Sequence, residues 1–176
     1  DPELSRGLGD VYKRQEIAIQ DTIKNGELTP KAIIPVDLFG VPARYRLIDS
    51  IAKKYNLKVI EDGAQSFGAS IGEKKVGTFG DVAATSFYPA KPLGCYGDGG
   101  AMFTNDDNLA EQCKAIRIHG TRTDKYNSEV IGLNGRLDSM QAAVLLEKLT
   151  IFDEELEIRN KVNDYYRKFL NNAQYI

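Results

Sequence analysis

KAIIPVDLFGVPARYRLIDSIAKKYNLKVIED, residues Lys31 to Asp62, decides the fold. Lys31 to Asp37 is a continuous apolar run of strand length, the pattern of a strand covered on both faces in a parallel sheet. Leu38 to Pro42 is punctuated by Gly40 and Pro42 and reads as a loop. From Ala43 to Tyr55 the apolar residues Leu47, Ile48, Ile51 and Ala52 are spaced for one face of a helix. Leu57 to Ile60 is a second short apolar run, with Glu61 and Asp62 at its carboxyl end. Strand, helix and strand within about thirty residues is the size of a βαβ unit, whose strands must run parallel.

Upstream, Glu16 to Asn25 has a short helical pattern closed by Asn25-Gly26. Asp1 to Gln15 has neither helical nor strand periodicity. Its string Gly9-Asp10-Val11-Tyr12-Lys13-Arg14-Gln15 resembles a translated sequencing-library adapter, so residues 1–15 are expected to be foreign or disordered and to lie outside the fold. Downstream, Ala64 to Gly80 reads as loop, Asp81 to Tyr88 as strand, and Pro89 to Gly99 as a Gly/Pro-rich loop. Gly100 to Thr104 reads as strand, Asn108 to Ile118 as helix and Thr121 to Gly135 as loop. Leu137 to Leu149 and Ile151 to Leu170 read as two further helices. The expectation is an α/β protein: a partial large domain over 16–150, then a long helix over 151–176 leading toward a further domain. With no opening Met and a stop just after a helical pattern, both ends read as cut.

Bulk properties narrow the function. The chain has 176 residues, 42% hydrophobic and 27% charged, enough for one globular core or part of a larger one. A net charge of −2 offers no basic surface, and no nucleic-acid motif is present. The apolar run Ala32-Ile33-Ile34-Pro35-Val36 is far too short to span a bilayer, so no membrane role is expected. Cys95 and Cys113 form no CxxC pair and His119 is the only histidine, which excludes a four-ligand Cys/His zinc site by count. Two lone cysteines fit a cytoplasmic location.

Chemistry concentrates beyond the strands. Asp62 ends one strand, Ser86 lies near the end of another, and Lys91 follows in the next loop. Open α/β sheets bind ligands beyond the carboxyl ends of their strands. Each residue also has a plain reading: Lys91 a solvated charge, Asp62 a turn or helix cap, Ser86 and Gln65 packing residues. Likewise Asn134 can be a turn residue, Arg136 an interface ion pair, His119 a structural histidine and Cys95 inert. Gly97-Asp98-Gly99-Gly100 leads into a strand, whereas a dinucleotide fingerprint leaves one for a helix.

Three ordered blocks carry a resemblance. Glu61-Asp62-Gly63-Ala64-Gln65-Ser66-Phe67-Gly68-Ala69 is similar to the EDAAQ-type signature of the DegT/DnrJ/EryC1/StrS aminotransferases. Ser86-Phe87-Tyr88-Pro89-Ala90-Lys91-Pro92-Leu93-Gly94-Cys95-Tyr96-Gly97-Asp98-Gly99-Gly100 resembles that family's Schiff-base loop. Gly132-Leu133-Asn134-Gly135-Arg136-Leu137-Asp138-Ser139-Met140-Gln141-Ala142-Ala143 resembles its G-x-N-x-R and QAA stretch. The resemblance covers about Ala32 to Leu170 and implies a PLP-dependent transferase of fold type I, aspartate aminotransferase-like, acting as a homodimer with sites at the subunit interface. It further implies pyridoxal 5'-phosphate as cofactor, glutamate as amino donor and a nucleotide-linked keto sugar as acceptor. A UDP-linked 3-keto sugar is the narrower expectation, with a place in polysaccharide or glycan biosynthesis.

By the same resemblance Lys91 is the Schiff-base lysine, Asp62 the partner of the pyridine nitrogen, Gln65 a contact of the ring or its hydroxyl, and Ser86 a phosphate ligand. Asn134 matches an asparagine that reaches the phosphate of the neighbouring subunit. Arg136, with His119, is assigned to the substrate side. Gly63 stands where many members have Ala. The family's N-terminal phosphate loop and C-terminal small domain are not in this sequence, so the functional reading applies to the parent protein. Sugar dehydratases of the same fold replace the lysine by histidine, so Lys91 argues against that alternative. A non-catalytic regulatory member is disfavoured by Asp62, Ser86 and Lys91 standing together.

Overall fold

A computed structural model describes residues 2–123 and 126–170, with side chains from Lys13 onward. In chain order the elements are α1 (Pro2–Asn25), β1 (Ala32–Ile33), a 3-10 turn (Leu38–Gly40), α2 (Tyr45–Tyr55), β2 (Lys58–Asp62), β3 (Ser70–Ile71), β4 (Lys74–Lys75), β5 (Val82–Ser86), β6 (Gly100–Phe103), α3 (Asp107–Arg117), α4 (Ser139–Leu149) and α5 (Phe152–Leu170). The main sheet has the order β1-β2-β5-β6. β1, β2 and β5 run parallel, and β6 returns antiparallel to β5. This is the mixed α/β fold, with a mainly parallel sheet, that the sequence predicts.

α2 forms because its apolar residues fall on one stripe. Tyr45, Ile48 and Ala52 are buried with Val59 of β2, and Ile33, Ala43, Leu57 and Phe79 pack around them. The Tyr45 and Phe79 rings stack with centroids 4.4 Å apart. Asn56 ends the helix at φ 52, a left-handed conformation that asparagine tolerates better than most residues. A second core, Phe87, Leu93, Cys95, Leu145 and Phe152, lies under the loop after β5, with Phe67, Leu137 and Leu156 against it. α4 and α5 therefore form the floor of the Lys91 loop.

Three expectations change. The Lys31–Asp37 run makes a regular strand only at Ala32–Ile33 and continues as a single bridge, Val36 to Asp62. Pro35 has no N–H for a ladder, though its carbonyl still accepts the Asp62 N–H at 2.9 Å. Nor is the run covered on both faces: it edges the described sheet, and Ile34 and Val36 are exposed. The expected loop 64–80 contains the β3–β4 hairpin, turning through Gly72 at φ 59. α1 starts at Pro2 rather than at Glu16, running through the stretch without apolar periodicity. Once a helix is nucleated, extension adds one bond per residue, and proline is well suited to the first helical position. Of the predicted helix 151–176, residues 171–176 lie outside the described residues.

Candidate active site

β2 delivers Asp62 as its last residue, opposite Ala84 of β5. Two residues further, β5 ends on Ser86. Because the strands are parallel, both carboxyl ends open on the same side of the sheet. The Asp62 backbone is gripped from β1's side: Asp62 N–H donates to the Pro35 carbonyl at 2.9 Å, and Asp37 N–H donates to the Asp62 carbonyl at 3.0 Å. On the other side Gly63 N–H donates to Ala84 at 2.8 Å. The Asp62 carboxylate is half-buried and accepts the Ala64 N–H at 3.1 Å, so it does act as a turn cap.

An open cleft of about 560 Å³ is lined by Gln65, Tyr88, Ala90, Lys91, Pro92 and Arg159. Lys91 is half-buried, and its amine has no hydrogen-bond or ion-pair partner among the described residues. The loop carrying it is fixed at many points. Lys91 N–H donates to Tyr88 at 2.8 Å, and Tyr88 N–H donates to the Ser86 hydroxyl at 3.2 Å. From α4, Gln141 Oε1 accepts the Tyr96 N–H at 2.7 Å and Lys148 Nζ donates to the Gly94 carbonyl at 2.5 Å. From α5, Arg159 reaches the Pro92 carbonyl at 3.5 Å and Glu155 at 3.2 Å. Cys95 is buried and its thiol faces the Phe87 and Gly97 carbonyls, in keeping with an inert cysteine.

Beneath the Asp62–Ser66 loop are two carboxylates with no solvent exposure, Asp37 and Glu61. Glu61 accepts the N–H groups of Gly77 at 2.6 Å and Phe79 at 2.8 Å. Asp37 accepts from Ala43 N–H and the Tyr45 hydroxyl, each at 2.8 Å, and from the Ser66 hydroxyl at 3.2 Å. Burial first, then the bond to Asp37, pushes the Tyr45 phenol well above its ordinary value, so it stays protonated and donating.

Asp62 and Ser86, at the strand ends, are not part of the cleft lining, and His119, Asn134 and Arg136 do not line it either. The last three share a separate pairing in which His119 N–H donates to Leu133 at 3.0 Å and Ile118 bridges Asn134. All three are exposed, and Arg136 Nε donates to Asn134 Oδ1 at 3.0 Å. Among the described residues there is no His/Cys/Asp/Glu group that could hold a metal, and no helix is long and apolar enough to cross a membrane.

Sequence reasoning missed Asp37, Ser66, Gln141 and Arg159. Asp37 had a readable signal, a carboxylate closing the first strand pattern as Asp62 closes the second. Arg159 had none, since a charged residue on a long helix is ordinarily solvated.

The donor set fits pyridoxal 5'-phosphate: an unpaired amine, a strand-end carboxylate, a primary amide and a hydroxyl at one end of a parallel sheet. Residues 11–176 match the profile of the DegT/DnrJ/EryC1/StrS aminotransferase family. The chain is 54% identical over 141 residues to a UDP-2-acetamido-2-deoxy-3-oxo-D-glucuronate aminotransferase of Pseudomonas aeruginosa, covering 79% of this chain and 39% of the relative. It superposes with a TM-score of 0.89 on the crystal structure of a DegT DnrJ EryC1 StrS aminotransferase from Brucella abortus, at 52% identity, covering 92% of this chain and 43% of that one. It is also similar to ntda from Bacillus subtilis, whose crystal structure has bound cofactor pmp, with a TM-score of 0.74, 33% identity, and coverage of 86% and 35%. The chain thus spans about two fifths of the length of these relatives.

Proposed function

The chain belongs to the DegT/DnrJ/EryC1/StrS aminotransferase family, and from that premise we propose that the protein carrying it is a pyridoxal 5'-phosphate-dependent transaminase moving nitrogen from glutamate to a nucleotide-linked keto sugar. The observation that carries this reading is the unpartnered Lys91 amine, held with Gln65 in one cleft beyond the ends of β2 and β5. When bound, the cofactor supplies an electron sink in its protonated ring.

The chain's own residues do the rest. Lys91 would provide the amine that holds the cofactor covalently and, once displaced, its Nζ would take and return the proton at the carbon that loses or gains nitrogen. Asp62 would hold the ring nitrogen protonated, the Ser86 hydroxyl would donate to a phosphate oxygen, and the Gln65 amide would donate to the ring oxygen. Glutamate leaves its nitrogen and departs as 2-oxoglutarate before the keto sugar enters, a ping-pong order. A UDP-linked 3-keto sugar is the first acceptor to test, since the Pseudomonas aeruginosa relative is named for a UDP-linked 3-oxo sugar acid. The product is an amino sugar suited to polysaccharide or glycan biosynthesis.

Asn134 serves the neighbouring subunit's phosphate in a homodimer, with Arg136 and His119 on the substrate side; the exposure of all three supports that role. Two free cysteines, Cys95 buried and Cys113 half-buried, support a cytoplasmic location.

The test is borohydride reduction of the full-length protein loaded with pyridoxal 5'-phosphate, followed by peptide mass mapping. The reduced cofactor should map to Lys91, and Lys91→Ala should lose both the adduct and amino transfer from glutamate. An adduct on another lysine, or full turnover by Lys91→Ala, overturns the reading.

A further inference from the structure

The segment from Pro35 to Phe39 does more than edge the sheet. Asp37 has no exposed surface and spends its carboxylate on three donors. Oδ1 takes the Ala43 N–H and the Tyr45 hydroxyl, and Oδ2 takes the Ser66 hydroxyl. Two residues later Phe39 stands at φ 56, a left-handed conformation costly for a bulky side chain. Its ring is 85% exposed, so ring packing does not hold it there. Its N–H does make a bond, to Gln65 Oε1 at 2.9 Å. One turn therefore grips two successive residues of the loop after β2: Gln65 through the Phe39 amide and Ser66 through Asp37.

That grip settles which way the Gln65 amide faces. A backbone N–H can meet only the amide oxygen, so this bond turns the oxygen toward Phe39 and the nitrogen away from it. Gln65 Nε2 has no partner among the described residues, and Gln65 lines the cleft with Lys91. The end left for a ligand is a donor, the polarity suited to an anionic ring oxygen.

Resting on the function proposed above, we infer that Asp37 is a positioning residue: through Ser66 and the Phe39 turn it fixes Gln65 with its amide nitrogen presented to the cofactor's ring oxygen. A carboxylate is needed there because all three of its partners donate. Were Asp37 only a structural anchor, its loss would lower stability without reference to Gln65.

A double-mutant cycle on the full-length protein separates the two. Gln65→Ala, Ser66→Ala, the double variant and Asp37→Asn are compared with the parent by pyridoxal 5'-phosphate dissociation constant and by the pH midpoint of the bound cofactor's visible band. Each single variant should weaken binding about three- to tenfold and displace the midpoint in one common direction. Adding Ser66→Ala to Gln65→Ala should weaken binding by less than about a further twofold, because the group being positioned is already gone. Multiplying effects in the double variant, or single variants Ser66→Ala and Asp37→Asn that bind and titrate like the parent, overturn the inference. Ser66→Ala leaves the Asp37 anchor to Ala43 and Tyr45 intact, so the result stands even if Asp37→Asn does not fold. A parent protein that takes up no cofactor overturns the proposed function with it, whereas a parent that binds while the cycle multiplies overturns the positioning alone.

Discussion

Asp81, immediately before β5, ties two strands together. Its carboxylate accepts Lys58 Nζ and Val59 N–H, each at 2.8 Å. The Lys58 ammonium holds the carboxyl below the usual carboxylate range, the Val59 N–H helps, and partial burial opposes them. A lowered folded value means the contribution is fully present above the unfolded carboxylate range and fades as pH falls through the folded one. Asp81→Asn should therefore be less stable than the parent at neutral pH, by on the order of 1 kcal/mol for an exposed pair of bonds. Denaturation midpoints should converge as the pH drops below about 4; a gap that stays constant in acid would refute this. At the end of β2, Asp62→Asn keeps shape and loses charge. Under the proposed function, amino transfer by the full-length protein should fall on the order of a hundredfold or more. Asp62 was legible in the sequence as the carboxylate closing a short apolar run. The bonds that orient Asp62, from Pro35 and Asp37, were not, since they link residues 25 or more positions apart only when two strands align.

At the scale of elements, α2 carries the sheet-facing core. Ile48 is 1% exposed, and Ile48→Ala should destabilise by about 2–5 kcal/mol through lost burial and the cavity left behind, measured by denaturant unfolding. Asn56, at φ 52, offers a test of opposite sign: Asn56→Gly should hold or raise stability, while Asn56→Val should cost about 1–2 kcal/mol. The segment from Ile118 to Asn134 depends on Gly120, at φ 79, where an added Cβ would overlap the Val130 carbonyl. Gly120→Ala should displace the pairing that presents His119 and Asn134, and amide exchange across 118–121 should rise. Helices were read well because their period repeats over eleven residues or more in α2, α4 and α5. Two-residue strands such as β3 and β4 carry no period at all, so that hairpin passed as loop.

Over the whole molecule, two separate apolar cores are buried while other apolar faces stay open. Ile158, Val162, Tyr165, Tyr166 and Phe169 are at least half exposed along α5, and Phe39, Ile131 and Met140 are more so. Contiguous apolar surface of this kind favours association with another surface. The 176-residue chain by itself should bind a hydrophobic dye strongly and sediment above its 19.5 kDa monomer mass. Weak dye binding by a monodisperse monomer would contradict the exposed stripe.

The sequence by itself determined the order of the longer strands and of the helices after Glu16, the parallel start of the sheet, and the residue types at the strand ends. Those depend on local period and on side-chain chemistry, both written along the chain. Tertiary structure alone decided that Gln65 and Lys91 share a cleft with Arg159, and that Asp37 reaches Ser66. It also decided that His119, Asn134 and Arg136 stand apart from that cleft lining. The physical reason is separation: a hydrogen bond across 29 residues leaves no mark on either local pattern and exists only once packing has closed the loop between them.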